Sequence, residues 1–482
     1  MTAATRPATA RRSPSGTAAE LAAQILDQAS QPRRPPDPGW LRAARRRAAA
    51  WVEDHGFPST KHEDWRYTTI DAALAVPLGA PPEGAAGGAA DGGASVSVGD
   101  LVGPHLGGAQ IVVVNGLVVP ALSSTDGALS AGVLVESLAG ALHRLDGRLE
   151  QSWLWSAGGY PHALRAMNDA AAVDGVLIDL PPGTVVEDPI EVVFVAMPAR
   201  EASWSHPRVV VVAGSGASAT LVETYLSGPG GPAVTNAVTQ VHLGAGAELA
   251  HCVLQGERRD SFHFSSLEAR LAEASRLSSR LLATGGRIGR HEVDVVLAGE
   301  GADVDLDGLF LTGAGQHHDN PALVDHAAPR CTSRQLYKGV VSGDGHGVFN
   351  GHLVVRPGAD GSDAVQVNKN LLLSERAEVD TRPRLEINAD DVACSHGAAV
   401  GQLDPDALFY LRSRGVSERE ARAVLVSGFA REILERFGKG PIRQRAEELA
   451  TAAGLVVLDE DGRSSGISTC AATRTRRGGR PQ

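Results

Sequence analysis

The sequence predicts a mainly β protein: a β-helix core with one helical region before it and another after it. Three observations carry this expectation. The chain holds 56 glycines and only 4% aromatic residues, a composition suited to many short strands joined by tight turns. A small-residue turn entering a strand recurs beyond about Asp174, at Gly214-Ser-Gly-Ala-Ser-Ala219, Gly244-Ala-Gly-Ala-Glu-Leu249, Gly299-Glu-Gly-Ala-Asp-Val304 and Ser374-Glu-Arg-Ala-Glu-Val379. Helical signals, absent from that middle stretch, return after Gln402. A sandwich would show period-two alternation throughout. A repeated turn-plus-strand unit instead favours stacked coils.

Taken in order, residues 1–37 are rich in Ala, Pro and Arg and are expected to be a disordered arm. Residues 38–172 form an N-terminal helical and mixed region. Its first helix starts at Gly39, carries Leu41, Ala44, Ala48, Trp51 and Val52 on one face, and stops at Gly56. A Gly/Ala/Pro loop over 81–93 follows, then a second expected helix over 131–145. The β-helix core is assigned to 173–402, with strands at Val176–Leu180, 190–195, 209–212 and 235–243. In the C-terminal helical region, 403–455, Asp404-Pro405 supplies an N-cap and a first-turn proline. Leu408 and Leu411 follow, and Gly415 ends that helix. Ser417-Glu-Arg-Glu420 is a capping box, ahead of an expected apolar stripe of Ala421, Val424, Leu425, Phe429, Ile433 and Phe437. A third helix covers 441–453, and residues 456–482 form a flexible tail.

The formal charge of −11 disfavours nucleic-acid binding, which needs basic patches. Cys252, Cys331, Cys394 and Cys470 form no CxxC pair, and a chain of this length needs no disulfide staples. A reducing cytoplasm is the natural expectation. No stretch approaches the 18–20 apolar residues of a membrane span. Phosphate-loop, dinucleotide, HExxH and GxSxG motifs are missing. Any nucleotide site is therefore expected in a partner rather than in this chain.

One constellation suits a soft metal: Asp390-Asp-Val-Ala-Cys394-Ser-His396. In an extended segment Cys394 and His396 share a face, and thiolate and imidazole are good iron ligands. Two ligands make half a site, so the rest must come from another subunit or a bound substrate. A second cluster, His317-His-Asp-Asn320 with Asp325, His326 and Cys331, is better explained as buried hydrogen-bonded polar residues. Asn350, Asn368 and Asn370 fit stacked amide ladders. Gly343-Asp-Gly-His-Gly347 is a turn. His62-Glu-Asp-Trp65 has acid–base groups but no visible partner, and Trp65 and Tyr67 are expected to anchor the N-terminal unit.

Several runs resemble the SufB/SufD family of iron–sulfur cluster assembly proteins. They are Thr332-Ser-Arg-Gln-Leu-Tyr-Lys-Gly339, Gly347-Val-Phe-Asn-Gly351, Asn368-Lys-Asn-Leu-Leu-Leu373, Ala377-Glu-Val-Asp-Thr381, Ala389-Asp-Asp-Val-Ala-Cys-Ser-His-Gly397 and Leu408-Phe-Tyr-Leu-Arg-Ser-Arg-Gly415. Lys61-His-Glu-Asp-Trp-Arg-Tyr-Thr68 matches an N-terminal signature. The likeness is dense over 331–438 and looser from about residue 173. The Cys-Ser-His-Gly form resembles SufD rather than SufB. The resemblance implies a right-handed parallel β-helix flanked by N- and C-terminal helical regions, acting as a scaffold and not as an enzyme. It implies pairing with a SufB-like subunit through the β-helix. A SufC-like ATPase would dock on the C-terminal helices, here through Leu408, Tyr410, Leu411, Val424 and Phe429. It further implies a transient iron–sulfur cluster shared with the partner, with His396 and Cys394 as candidate ligands, and it allows a reduced flavin in the complex. The alternatives are a SufB-like subunit accepting sulfur on Cys394, and a β-helix enzyme acting on polysaccharide.

Overall fold

A computed structural model describes residues 16–30, 37–77, 97–125, 132–142, 159–197 and 203–455. From Ser218 onward the chain winds in coils, each laying one strand in each of two sheets. Successive strands of one sheet stack parallel and in register: Ser218–Ser227, Glu248–Gln255, Arg276–Ala283, Asp303–Thr312, Thr332–Val341, Ser362–Leu372 and Val392–Gln402. Each coil advances by about 30 residues, as the aligned positions Ser218, Glu248, Arg276, Asp303, Thr332 and Asp363 show. The fold is a parallel β-solenoid. Glycine turns set the corners: Gly216, Gly246, Gly301 and Gly343 all have φ between 65° and 68°, a region open to glycine without strain.

Alternate residues of each strand point into the space between the sheets. There Val176, Ile178, Val192, Val211, Leu221, Leu249, Leu267, Val295, Val304 and Val324 form one continuous apolar core. The outer faces are covered by helices. The N-terminal layer buries Leu21, Ile25, Val52, Trp65 and Met167 against Trp204, Phe262 and Phe264 of the sheet. The C-terminal helices bury Val426, Ile433, Phe437 and Ala446 against Leu254, Leu282, Leu309 and Val340 of the other sheet. Cys252 lies in that second interface as a core residue.

Four expectations change. The arm expected over 1–37 contains a helix, Gly16–Ser30, with Leu21, Ala22 and Ile25 buried. Its Ala, Leu, Gln and Glu are strong helix formers, and an apolar face with somewhere to pack completes it. Residues 1–15 lie outside the described residues, as do the 81–93 loop and the 456–482 tail with Cys470. The helix expected over 131–145 is instead the strand Leu134–Ser137, antiparallel to Val176–Leu180, followed by a single helical turn at Leu138–Ala141. Sheet pairing overrides helix propensity there, and residues 143–150 lie outside the described set. Strand structure also begins earlier than expected. Gln110–Val114 pairs parallel with Ile190–Ala196 and turns through Asn115 and Gly116, both at positive φ, into Leu117–Val118. Asn-Gly is a strong short-range hairpin signal.

The fourth change concerns the helix Glu418–Leu434. It buries Ala421, Val426, Ala430, Ile433 and Leu434, with Phe437 just beyond, while Val424 stays exposed. The buried stripe is the set at 426, 430, 433, 434 and 437, spaced by three and four residues, so Val424 falls on the opposite side.

Candidate functional site

The solenoid ends asymmetrically. At its start the sheets finish on the short antiparallel strands Leu117–Val118 and Leu134–Ser137. At its far end the last strand, Val392–Gln402, pairs with Ser362–Leu372 on one side. No strand among the described residues pairs with its other edge. Such an edge carries unpaired backbone donors and acceptors that can join another chain.

Register decides where Cys394 and His396 point. Cys394 aligns with Ala364 and Ser333, and His396 with Gln366 and Gln335. All four of those residues are buried, and Gln366 Nε2 donates to Gln335 Oε1 at 3.1 Å. Aligned residues of a parallel sheet share a face, so Cys394 and His396 continue two rows of the solenoid interior. His396 is exposed because no further coil among the described residues stacks above it. Cys394 is half-buried and packs on the edge of the central core. Burial, then the nearby Asp363 carboxylate, pushes its thiol above the ordinary range. Thiolate is thus disfavoured at Cys394 in the isolated chain.

The exposed end of this row caps a polar interior. Deeper in, His251 Nε2, Tyr225 Oη and Thr239 Oγ1 contact the Glu223 carboxylate at 3.1, 2.5 and 2.7 Å. Burial alone would raise Glu223, but these bonds outweigh it and hold the carboxyl below the usual range. Glu257 is held likewise by His263, Thr235 and Gln255. The second sequence cluster behaves similarly. His318 bonds Thr312 and the Gly285 carbonyl, His326 bonds Ser333 and Ser362, and Asp325 takes a bidentate contact from Arg356. His317 departs from it by facing outward, onto Thr68 and His346. The asparagines do not form ladders: Asn370 Nδ2 donates along its own strand to Asn368 Oδ1, and Asn368 Nδ2 donates to the Tyr337 carbonyl.

The Trp65 motif finds its partners far along the chain. Trp65 lies under the Arg290 guanidinium at 3.8 Å, while Glu63 and Asp64 pair with Arg382 and Arg384. These contacts fasten the N-terminal layer to the solenoid.

Of the proposed docking residues, Leu408 and Leu411 are half-buried on the helix Pro405–Ser413, which has no buried residue. Tyr410 is 56% and Val424 38% exposed. Phe429 is half-buried against the helix–sheet interface, its ring 4.6 Å from Lys338 Nζ. Phe409 is 73% exposed and was not singled out from the sequence, although an aromatic next to Tyr410 on a capped helix was visible. His346, Glu378 and Asp380 also went unmarked. They meet on adjacent coils, a neighbourhood that no local spacing reveals.

Comparisons with known proteins match these features. A family model for the SufBD core domain of the SUF system for FeS cluster assembly covers residues 195–429, and one for the SufBD N-terminal region covers 27–192. The iron–sulfur cluster assembly protein SufD of Escherichia coli is 30% identical over 405 residues, spanning 81% of this chain and 88% of that protein. A SufBD family protein of Synechocystis is 27% identical over 84% of this chain and 89% of its own length. The chloroplastic protein ABCI7 of Arabidopsis thaliana is 34% identical over 58% of this chain and 61% of its own. With a solenoid core, both family regions and a SufD relative aligned over most of its length, the chain belongs to the SufB/SufD family of iron–sulfur cluster assembly proteins.

Proposed function

We propose that this chain is a SufD-like scaffold subunit that supplies one half of an interface on which a nascent iron–sulfur cluster is built. The observation that carries this reading is the terminal strand Val392–Gln402, whose unpaired edge and exposed His396 sit together at the open end of the solenoid. A SufB-like subunit adds its own strands there and supplies the remaining ligands. His396 is the principal ligand from this chain. Cys394, with its raised thiol, is the lesser one and a poor candidate for accepting sulfur unaided. A SufC-like ATPase docks on the outer side of the C-terminal helices through Leu408, Tyr410, Leu411 and Val424. The exposed Tyr410 and Val424 support that assignment, and Phe429 serves as the hinge side against the solenoid.

The test is anaerobic co-purification with SufB- and SufC-like partners, followed by iron and sulfide assay. His396→Ala is expected to fold and to assemble, yet to yield little cluster; normal yield removes His396 from the mechanism. Tyr410→Asp with Val424→Asp is expected to lose the ATPase while keeping the SufB-like subunit. Retention of both partners refutes the docking face.

A further inference from the structure

The sheet face beneath the N-terminal layer carries a cluster that the scaffold reading leaves unused. In-register stacking places His317, His346 and Glu378 in one outward row, and Asp380 follows two residues beyond Glu378 on the same face. His346 Nε2 lies 2.8 Å from Asp380 Oδ2. One ligand atom from each of His346, Glu378 and Asp380 lies within 4.8 Å of the others.

Hydrogens along this row are set from its buried end. Asp319 is paired with Arg290 and is the acceptor for the Thr68 hydroxyl at 2.5 Å. Having given its one proton to Asp319, Thr68 Oγ1 can only accept from His317 Nε2, 2.8 Å away. His317, with a hydroxyl on one side and an imidazole on the other, is then the tautomer protonated on Nε2, and its Nδ1 is bare. The 3.2 Å contact between His317 Nδ1 and His346 Nδ1 therefore needs the hydrogen on His346. That leaves His346 Nε2 as the ring atom that faces the Asp380 carboxylate. The contact calls for a positive charge shared with the carboxylate, carried by a proton on the ring or by a metal ion held beside the two atoms.

We propose that His346, Glu378 and Asp380 form a binding site for a divalent transition-metal ion of the Fe²⁺ or Zn²⁺ class, with His317 as the outer partner that orients the His346 ring. One imidazole and two carboxylates suit these ions and balance the charge of a dication. Bonds of about 2.0–2.2 Å place neighbouring ligands about 3 Å apart, a spacing that His346 and Asp380 already have. Glu378 is exposed and free to close the third side. An outer hydrogen bond that fixes the tautomer of a ligating histidine is the usual support for such a site.

The experiment uses the full-length chain carrying Cys394→Ala and His396→Ala, so that the edge strand contributes no ligand. The chain is stripped with chelator and titrated anaerobically with Fe²⁺, and separately with Zn²⁺, by equilibrium dialysis and calorimetry. The expected result is one ion per chain. Further adding His346→Ala or the surface change Glu378→Gln lowers the affinity about tenfold or more, and His317→Phe, which removes no ligand, lowers it about 10–100-fold. Thermal melts confirm that each variant is folded. Absence of stoichiometric binding means that the cation is a proton, and the proposal fails. Equal affinity with Glu378→Gln and His346→Ala means adventitious binding, and the proposal fails again. No partner and no cluster enter the measurement, so its outcome is independent of the scaffold reading.

Discussion

His318 and His326 show how a single buried side chain is specified in this fold. Each imidazole is taken out of water and satisfied as a neutral ring, His318 by Thr312 and the Gly285 carbonyl, His326 by two serine hydroxyls. Burial pushes both down to about 4, against about 6.5 for a histidine in water. Above pH 6.5 neither ring affects the folding equilibrium. As pH falls from 6.5 toward 4 the unfolded chain takes up protons that the folded chain refuses, so stability is lost across that window and levels off below it. For fully buried His318 the loss is on the order of 3 kcal/mol. Thermal melts between pH 7 and 4.5 are expected to show a falling midpoint, and His318→Gln to flatten the slope. An unchanged slope in that variant assigns the titration elsewhere. At this scale the sequence was informative about residue types. The shared face of Cys394 and His396 follows from strand periodicity alone, but the outward turn of His317 depends on which residue lies one coil away.

Among the elements, the helix Glu418–Leu434 illustrates a docking pinned at its centre by a buried cation. Lys338 is buried on the strand Thr332–Val341; its ammonium donates to the Phe429 carbonyl at 2.8 Å and pairs with Glu432 at 2.5 Å. Around this contact Val426, Ala430 and Ile433 pack on the sheet. Lys338→Ala removes a charge-assisted bond worth about 1.5–3 kcal/mol and is expected to raise hydrogen exchange in Glu418–Leu434 well before the solenoid strands loosen. Uniform exchange across both would show that the helix is held by its apolar face alone. The capping box at Ser417 and Glu420, with both reciprocal bonds formed, was legible in four letters. The buried stripe behind it was not, because a helix with apolar residues on several sides does not announce which side the sheet will take. The helix Gly16–Ser30 was hidden for a related reason: proline- and arginine-rich flanks dominated the composition of the whole arm, while its apolar face is short.

The whole molecule is three layers and one open end. Helices cover both outer faces of the solenoid, and short antiparallel strands finish its first coil, while the last coil stops on an edge that no strand among the described residues pairs with. Stacked coils need caps at both ends to bury their terminal residues, which is why the proposed SufB-like subunit is assigned to this end. The N-terminal layer is fastened by polar contacts as well as apolar ones. Arg208 reaches Asp169 at 2.5 Å, Asn168 at 2.9 Å and Gln240 at 3.0 Å, all buried. Asp169→Ala removes the buried carboxylate paired with Arg208 and is expected to cost about 3–5 kcal/mol. The measurement is chemical denaturation, with proteolysis reporting whether the layer Gly39–His55 and Ala163–Ala171 detaches first. A loss under 1 kcal/mol would mean that water replaces the carboxylate.

By itself the sequence determined the class of fold, the capped C-terminal helices and the shared strand face of Cys394 and His396, because glycine turns, cap residues and strand periodicity are local physics. It also carried enough linked motif to indicate the family. Only the tertiary structure decided that Gln110–Val114 and Leu134–Ser137 complete the first coil, that Val424 faces out while Val426 faces in, and that the last strand keeps an edge unpaired among the described residues. The same holds for the meeting of His346 with Glu378 and Asp380, since neighbours in a solenoid lie about 30 residues apart. Their register is set by where each coil turns, and no window of local sequence contains that information.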